Sequence, residues 1–173
     1  IYTSGSTGLP KGVVIQHEAA VNTLLTVNRM HQVGAGDRAI MLSELYFDLS
    51  VYDIFGMFYA GGAVYVPSDE EKQDVTCWNR ILTERDITLW NTVPAFMQML
   101  MEINEGGDIC SDTLRIVMMS GDWIPLNLPD RIKMLLPKAK VMSLGGATEA
   151  SIWSNYYWVD DVKPEWKSIP YGY

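Results

Sequence analysis

Ile1-Tyr2-Thr3-Ser4-Gly5-Ser6-Thr7-Gly8-Leu9-Pro10-Lys11-Gly12 sets three glycines, four Ser/Thr hydroxyls and a lysine ahead of the apolar run Val13-Val14-Ile15. Glycines at 5, 8 and 12 are expected to take positive φ and let the backbone come close to a ligand. The hydroxyls of Thr3, Ser4, Ser6 and Thr7 and the loop N–H groups can donate to anionic oxygens, and Lys11 adds charge. The stretch therefore reads as a phosphate cradle. It is not a Walker loop, which needs Gly-Lys-[Ser/Thr] at the start of a helix, because Lys11-Gly12 opens a strand-like run instead. A flexible polar turn is the other reading of a Ser/Gly-rich loop, and the Pro-Lys-Gly exit argues against it.

Outward from this loop, apolar strand-like runs alternate with helix-like segments, the pattern of an α/β layered sheet with flanking helices. Apolar spacing at Ala20, Val21, Leu24, Leu25 and Val27 predicts a helix over 17–31, ended by Val33-Gly34-Ala35-Gly36. Strands are expected over 38–42, 63–66, 88–92, 114–119 and 140–144, with an edge-like run over 155–159. Helices are expected over 50–59, 76–85, 94–103 and 128–136. Prolines 94, 125 and 129 fall at element starts, where a missing N–H does little harm. The polar stretches 68–74 and 106–112 read as surface loops. In such a sheet ligands sit at the carboxyl ends of strands, and Asp48, Asn91, Ser120-Gly121-Asp122 and the stretch 145–149 all follow or end predicted strands.

The chain has 173 residues and a net charge of −8 with no basic run, which argues against a nucleic-acid surface and makes any phosphate binding local. Cys77 and Cys110 lie far apart in no metal-like or disulfide spacing, so a reducing cytoplasm is the expected setting. No apolar run reaches the ~18 residues of a membrane span. The chain starts inside a strand-like run and stops at Ile-Pro-Tyr-Gly-Tyr, so it is expected to be truncated at both ends. His17 and His31 have no metal-like partners and read as surface or helix-terminal residues.

Residues 2–12 resemble the phosphate-binding signature of the adenylate-forming superfamily, which holds acyl-CoA ligases, luciferases and nonribosomal peptide synthetase adenylation domains. Two more stretches are similar to family segments in family order: Tyr46-Phe47-Asp48-Leu49-Ser50 to Phe-Asp-x-Ser, and Gly145-Gly146-Ala147-Thr148-Glu149 to Tyr-Gly-Pro-Thr-Glu. Gly121-Asp122 stands where relatives carry Gly-Gly-Glu. The resemblance covers essentially the whole chain. It implies ATP and Mg²⁺ as cofactors, with Thr3, Ser4, Gly5, Ser6, Thr7, Gly8, Lys11, Gly121, Asp122, Gly145, Gly146, Ala147 and Thr148 around the nucleotide. Lys11, Thr148 and Glu149 would act on the reacting phosphates, Thr148 at the α-phosphate and Glu149 as the Mg²⁺ ligand. A Glu favoured by a helix N-terminus is the plainer reading of Glu149. No side-chain nucleophile is needed, since the substrate carboxylate itself attacks the α-phosphorus. Gly145 departs from the family, where an aromatic residue at this position stacks on adenine.

Asp48 carries the substrate class. In peptide-synthetase adenylation domains the aspartate of this segment pairs with the substrate α-ammonium, and a pocket carboxylate without a cation would be expensive. The alternative is an N-cap for the helix near Ser50. The family's side-chain pocket carries over to Leu49, Tyr52, Asn91, Met118, Ser120, Leu144, Ile152 and Trp153, a set similar to that of cysteine-activating domains. Leu49, Met118, Leu144 and Ile152 would give a soft wall for a thiol that Ser120 and Asn91 orient, although each could be an ordinary core residue. The resemblance thus implies part of a peptide-synthetase adenylation domain that makes cysteinyl-AMP and pyrophosphate and loads a carrier-protein phosphopantetheine thiol. Other modules of the same synthetase are the expected partners, and nucleic acid and membrane are not. An acyl-CoA or aryl-acid ligase, disfavoured by Asp48, and a non-catalytic nucleotide-binding fragment are the alternatives.

Overall fold

The computed structural model describes residues 1–3, 9–106 and 111–172. Two short strands, β1 (Tyr2–Thr3) and β2 (Lys11–Gly12), pair antiparallel, with Thr3 opposite Lys11. Helix α1 (His17–His31) leads to a six-stranded sheet. Its strands are β3 (Arg38–Ile40), β4 (Ala63–Tyr65), β5 (Leu89–Thr92), β6 (Ile116–Met119), β7 (Lys140–Gly145) and β8 (Asn155–Trp158), in the spatial order β4-β3-β5-β6-β7-β8. All pairs are parallel except β7–β8; β8 lies at the edge, as expected for the run 155–159, and runs antiparallel.

The crossovers explain the layers. From β3 the chain moves outward to β4 through α2 (Leu49–Val51), a π-helical turn (Tyr52–Gly56) and α3 (Met57–Tyr59). It then returns past β3, and β5, β6 and β7 follow in the opposite direction through α5 (Val75–Glu84), α6 (Pro94–Ile103) and α7 (Leu128–Leu135). Parallel crossovers share one hand, so reversing direction puts the two groups of helices on opposite faces. The packing agrees. Ile40, Trp90, Val117, Met119 and Val141 meet α5, α6 and α7. Ala39, Leu89, Ile116, Met118 and Met142, one residue out of phase, meet α1, Leu49, Tyr52 and Met57. β6, buried on both sides, is apolar throughout. The reversal makes the β3/β5 gap a switch point, and the residues after β3 carry Asp48 to the carboxyl ends of the strands.

Three local expectations need correcting. The stretch 68–74 is no surface loop: α4 (Asp69–Gln73) starts on a capping box in which Ser68 Oγ accepts from the Glu71 N–H and Glu71 accepts from the Ser68 N–H. The run 13–15 is not a strand, although the Val13 N–H still donates to the Ile1 carbonyl, and Val14 is 95% exposed. Gly12 sits in extended, paired backbone against the Tyr2 ring and has no positive φ. His17 is exposed at the start of α1, but His31 at its end is buried edge-on to Trp158. Most of the predicted loop 106–112, with Cys110, lies outside the described residues. Among the described residues, no helix is long and apolar enough to cross a membrane.

Candidate active site

Two turns and one loop converge above the carboxyl ends of β5, β6 and β7. They enclose a cavity of about 150 Å³ lined by Phe47, Asp48, Leu49, Val93, Ser120, Gly121, Gly146, Thr148, Ile152 and Trp153. The structure thus brings Asp48, Leu49, Ser120, Ile152 and Trp153, predicted for the substrate, against Gly121, Gly146 and Thr148, predicted for the nucleotide. The volume is below the ~300–1,000 Å³ of typical ligand pockets and suits a small side chain. Phe47 and Val93 are additions. Val93 is the extended residue between the end of β5 and Pro94 at the start of α6, so a residue before proline at a strand's carboxyl end was its only signal.

Asp48 does not cap the helix after it. The residue stands at the N-cap position of α2 with helical φ and ψ, and its side chain makes no capping bond. Its Oδ2 instead accepts a hydrogen bond from Thr148 Oγ1 at 2.7 Å. This contact joins two motifs a hundred residues apart in sequence. A short bond to a half-buried carboxylate is of the charge-assisted kind.

Tyr52, Asn91 and Met118, predicted for the same pocket, do not line this cavity. They form the layer beneath it. Tyr52 is fully buried, its hydroxyl donating to Asn28 Oδ1 at 3.0 Å and its ring edge-on to Trp153. Asn28 in turn donates to the Gly56 carbonyl at the end of the π turn. Met118 packs in the cluster on the α1 face. Asn91 Nδ2 donates to Asp53 Oδ1 at 2.8 Å and to the Leu49 carbonyl at 3.4 Å, so it ties the sheet to the segment that carries Asp48 and Leu49. Asp53 is completely buried, and that burial pushes its carboxyl up to about 8 despite the Asn91 bond, so it is protonated at neutral pH. Its place on the apolar face of the segment after Asp48 was the one hint in the sequence. Closer to the cavity, Trp153 Nε1 donates to Ser120 Oγ at 3.0 Å. The Ser120 hydroxyl hydrogen is left without an acceptor among the described residues and is available to a ligand.

Next to this cavity lies a larger one of about 530 Å³, lined by Gly121, Asp122, Trp123, Leu144, Gly145, Gly146, Ala147, Ser154, Asn155 and Tyr171. It gathers the predicted nucleotide residues after β6 and β7, and Leu144 faces it rather than the small cavity. Backbone geometry fixes both turns. Gly121 has φ 84°, a conformation glycine adopts freely. A Cβ at Gly146 would come within 2.6 Å of the Ile152 carbonyl oxygen, so only glycine lets the turn pass under the 152–154 segment. That segment is strained: Ser151 and Ile152 have φ 66° and 71°, unusual for any side chain and most of all for a β-branched one. Thr23 Oγ1, donating to the Ser151 carbonyl at 3.0 Å, helps hold it.

A third cavity, of about 210 Å³, links Ile1, Val13 and Ile15 to Asp48, Thr148 and Ile152, so the β1–β2 ladder starts beside Thr148. Thr3 and Lys11 pair across its base, with Lys11 exposed, while Ser4, Gly5, Ser6, Thr7 and Gly8 lie outside the described residues. Glu149 is exposed on the 3-10 turn Thr148–Ala150. Among the described residues, no group of three or more His, Cys, Asp or Glu side chains could hold a metal ion alone. A single exposed carboxylate fits Mg²⁺, which binds through one or two carboxylates together with substrate phosphates and water.

A match to the family described as AMP-binding enzyme extends over residues 1–173. The chain belongs to this family. Among curated relatives it is 50% identical to the anguibactin system regulator of Vibrio anguillarum, over 100% of the chain and 17% of that protein. It is 43% identical to the pyochelin synthetase PchE of Pseudomonas aeruginosa, over 99% of the chain and 12% of that protein. The AMPPNP-bound form of the nonribosomal peptide synthetase FmoA3 superposes with a TM-score of 0.91 at 40% identity, covering 99% of this chain and 18% of that one. The same synthetase bound to α-methyl-L-serine-AMP superposes equally well. The chain therefore spans less than a fifth of the length of each of these proteins, and its α/β sheet is that of the AMP-binding family.

Proposed function

We propose that this chain is part of a nonribosomal peptide synthetase adenylation domain that activates L-cysteine with ATP and delivers it to a carrier-protein phosphopantetheine thiol. The carrying observation is the bond from Thr148 to Asp48. It couples a carboxylate suited to an α-ammonium to a turn suited to phosphates, with the small cavity on one side and the cavity that reaches Ile1, Val13 and Ile15 on the other.

In this reading the Asp48 carboxylate receives the substrate ammonium. The side chain lies between Leu49 and Ile152, and the Ser120 hydroxyl donates to its sulfur. The substrate carboxylate oxygen forms a bond to the α-phosphorus as the bond from that phosphorus to the bridging oxygen breaks, and pyrophosphate leaves with the electron pair. This chain's contribution is orientation and charge: Thr148 lies within reach of both ends, and Lys11 with the residues around it meets the phosphates. Mg²⁺, held by Glu149 and the phosphates, would offset their charge. The relatives' synthetase names and the aminoacyl-adenylate form of FmoA3 support the class.

Amino-acid-dependent ATP–pyrophosphate exchange by the full-length protein tests this. Cysteine should support exchange faster than serine, by roughly the 1–3 kcal/mol that one polar group commands in a pocket of this kind. Faster exchange with serine or with a bulky aromatic amino acid would overturn the cysteine assignment. Exchange with aryl or fatty acids alone would overturn the amino-acid class.

A further inference from the structure

We infer that Trp123 and Tyr171 form the seat for the purine base of the nucleotide, and that Gly145 is small in order to admit Tyr171. The inference rests on the adenylation reading above and adds to it two side chains and a geometry.

The large cavity is polar on its glycine side and aromatic on the other. Trp123 and Tyr171 both line it, with ring centroids 6.3 Å apart and planes at 66°. Both rings are open to solvent, at 68% and 50% exposure, which is unusual for side chains of this size at a concave surface. Their immediate neighbours are the opposite. Ile124 and Ile169 are each 2% exposed, and the Ile169 N–H donates to the Ile124 carbonyl. Each ring therefore projects from a backbone pinned in the core one or two residues away, so the pair is held open without being buried.

Gly145 completes the argument. A Cβ there would lie 2.4 Å from Asn155 Oδ1 and 2.5 Å from a Tyr171 ring carbon, separations real side chains do not reach. The Tyr171 ring, with the Asn155 amide beside it, occupies the space over the end of β7 that a side chain at 145 would fill. An edge-to-face pair leaves one ring face free for a third ring, and a flat heteroaromatic base is the ligand that uses such a face. Gly121, Gly145 and Gly146 on the facing side let peptide groups approach the edge of that base. The same corner offers little to an α-amino acid with a small side chain, whose cavity lies on the other side of Gly146.

The test uses the full-length protein and varies ATP and cysteine separately in the exchange assay, with equilibrium binding of AMPPNP as a second readout. Trp123→Ala and Tyr171→Ala should each raise the ATP KM and the AMPPNP Kd roughly 5- to 150-fold, the range for removing one stacking ring, and leave the cysteine KM within about twofold. Trp123→Phe and Tyr171→Phe should retain most of the affinity, and Trp123→Phe should also diminish the tryptophan fluorescence change on nucleotide addition. If an alanine variant unfolds, Trp123→Leu keeps apolar bulk without a ring face and must show the same rise. An active wild type whose ATP KM and AMPPNP affinity are unchanged by these variants overturns the seat and leaves the adenylation reading standing. A rise confined to the cysteine KM also overturns the seat. A wild type with no amino-acid-dependent exchange overturns the adenylation reading, and the seat falls with it.

Discussion

Replacing Asp48 separates charge from tether where the wall of the small cavity meets the phosphate turn. In Asp48→Asn the side-chain oxygen can still accept from Thr148 Oγ1, as Oδ2 now does at 2.7 Å, so the phosphate turn keeps its anchor while the negative charge is lost. In Asp48→Ala both are lost. Truncating one member of a desolvated charge pair costs about 2–5 kcal/mol, which is roughly a 30- to 5,000-fold fall in kcat/KM for the amino acid. Asp48 is only half-buried, so the lower half of that range is expected. The ATP KM should stay within about threefold in Asp48→Asn and rise further in Asp48→Ala, where the Thr148 hydroxyl is released. Combining Asp48→Ala with Thr148→Val should be non-additive by about 1 kcal/mol, since both remove the same bond, whereas Asp48→Asn, which keeps it, should be close to additive. Exchange kinetics with ATP and cysteine varied in turn, on the four-membered cycle, measure each quantity. Equal loss of cysteine and ATP use in Asp48→Asn would refute the placing of the ammonium at Asp48, and strict additivity of Asp48→Ala with Thr148→Val would refute the tether.

Two buried groups give opposing pH dependences of stability. Asp53, pushed up from 3.8 to about 8 by burial, keeps its proton in the folded state while the unfolded chain releases it, so stability falls as pH rises from about 4 to 8. The span corresponds to something on the order of 5 kcal/mol. His31 is lowered from 6.5 to about 4, chiefly by burial and then by Arg115 and Lys140, so it stays neutral when folded and stability falls as pH drops from 6.5 to about 4. Between about 4 and 6.5 the two slopes cancel. Denaturation midpoints across this range should therefore show Asp53→Asn gaining stability from pH 4 to 6.5 and flat above. His31→Leu should lose stability steadily from pH 4 to 8. Parallel profiles for wild type and variants would sink both assignments.

The layered sheet was legible because apolar residues alternate with polar segments at the right lengths: α1 occupies residues 17–31 as the spacing of Leu24 and Val27 requires. Helix α4 escaped because Asp69–Gln73 is polar all round and has no buried residue, so periodicity was silent and only Ser68 and Glu71, a capping-box spacing, marked it. Leu49, Ser120, Ile152 and Trp153 were readable as wall residues because their motifs end strands or turns. Asn91 was not, because the direction of its amide depends on Asp53, a partner from a different crossover. Nor could Trp123 and Tyr171 be found, since nothing local relates them. Their meeting depends on the core anchors Ile124 and Ile169.

The left-handed backbone at Ile152 bears on how such a pocket can be re-engineered. Changing what a binding site accepts ordinarily sacrifices some stability, because the new side chain is chosen for the ligand and not for the fold. At 152 part of that loss should be offset. A β-branched residue held at φ 71° stores on the order of 1–3 kcal/mol, and the same residue forms part of the wall of the small cavity. Asn or Gly here relaxes the backbone and opens the wall in one step, but it also removes a side chain that is 5% exposed and packed in the core, a loss of about 2–5 kcal/mol, so Tm should fall by less than at a core isoleucine with ordinary backbone.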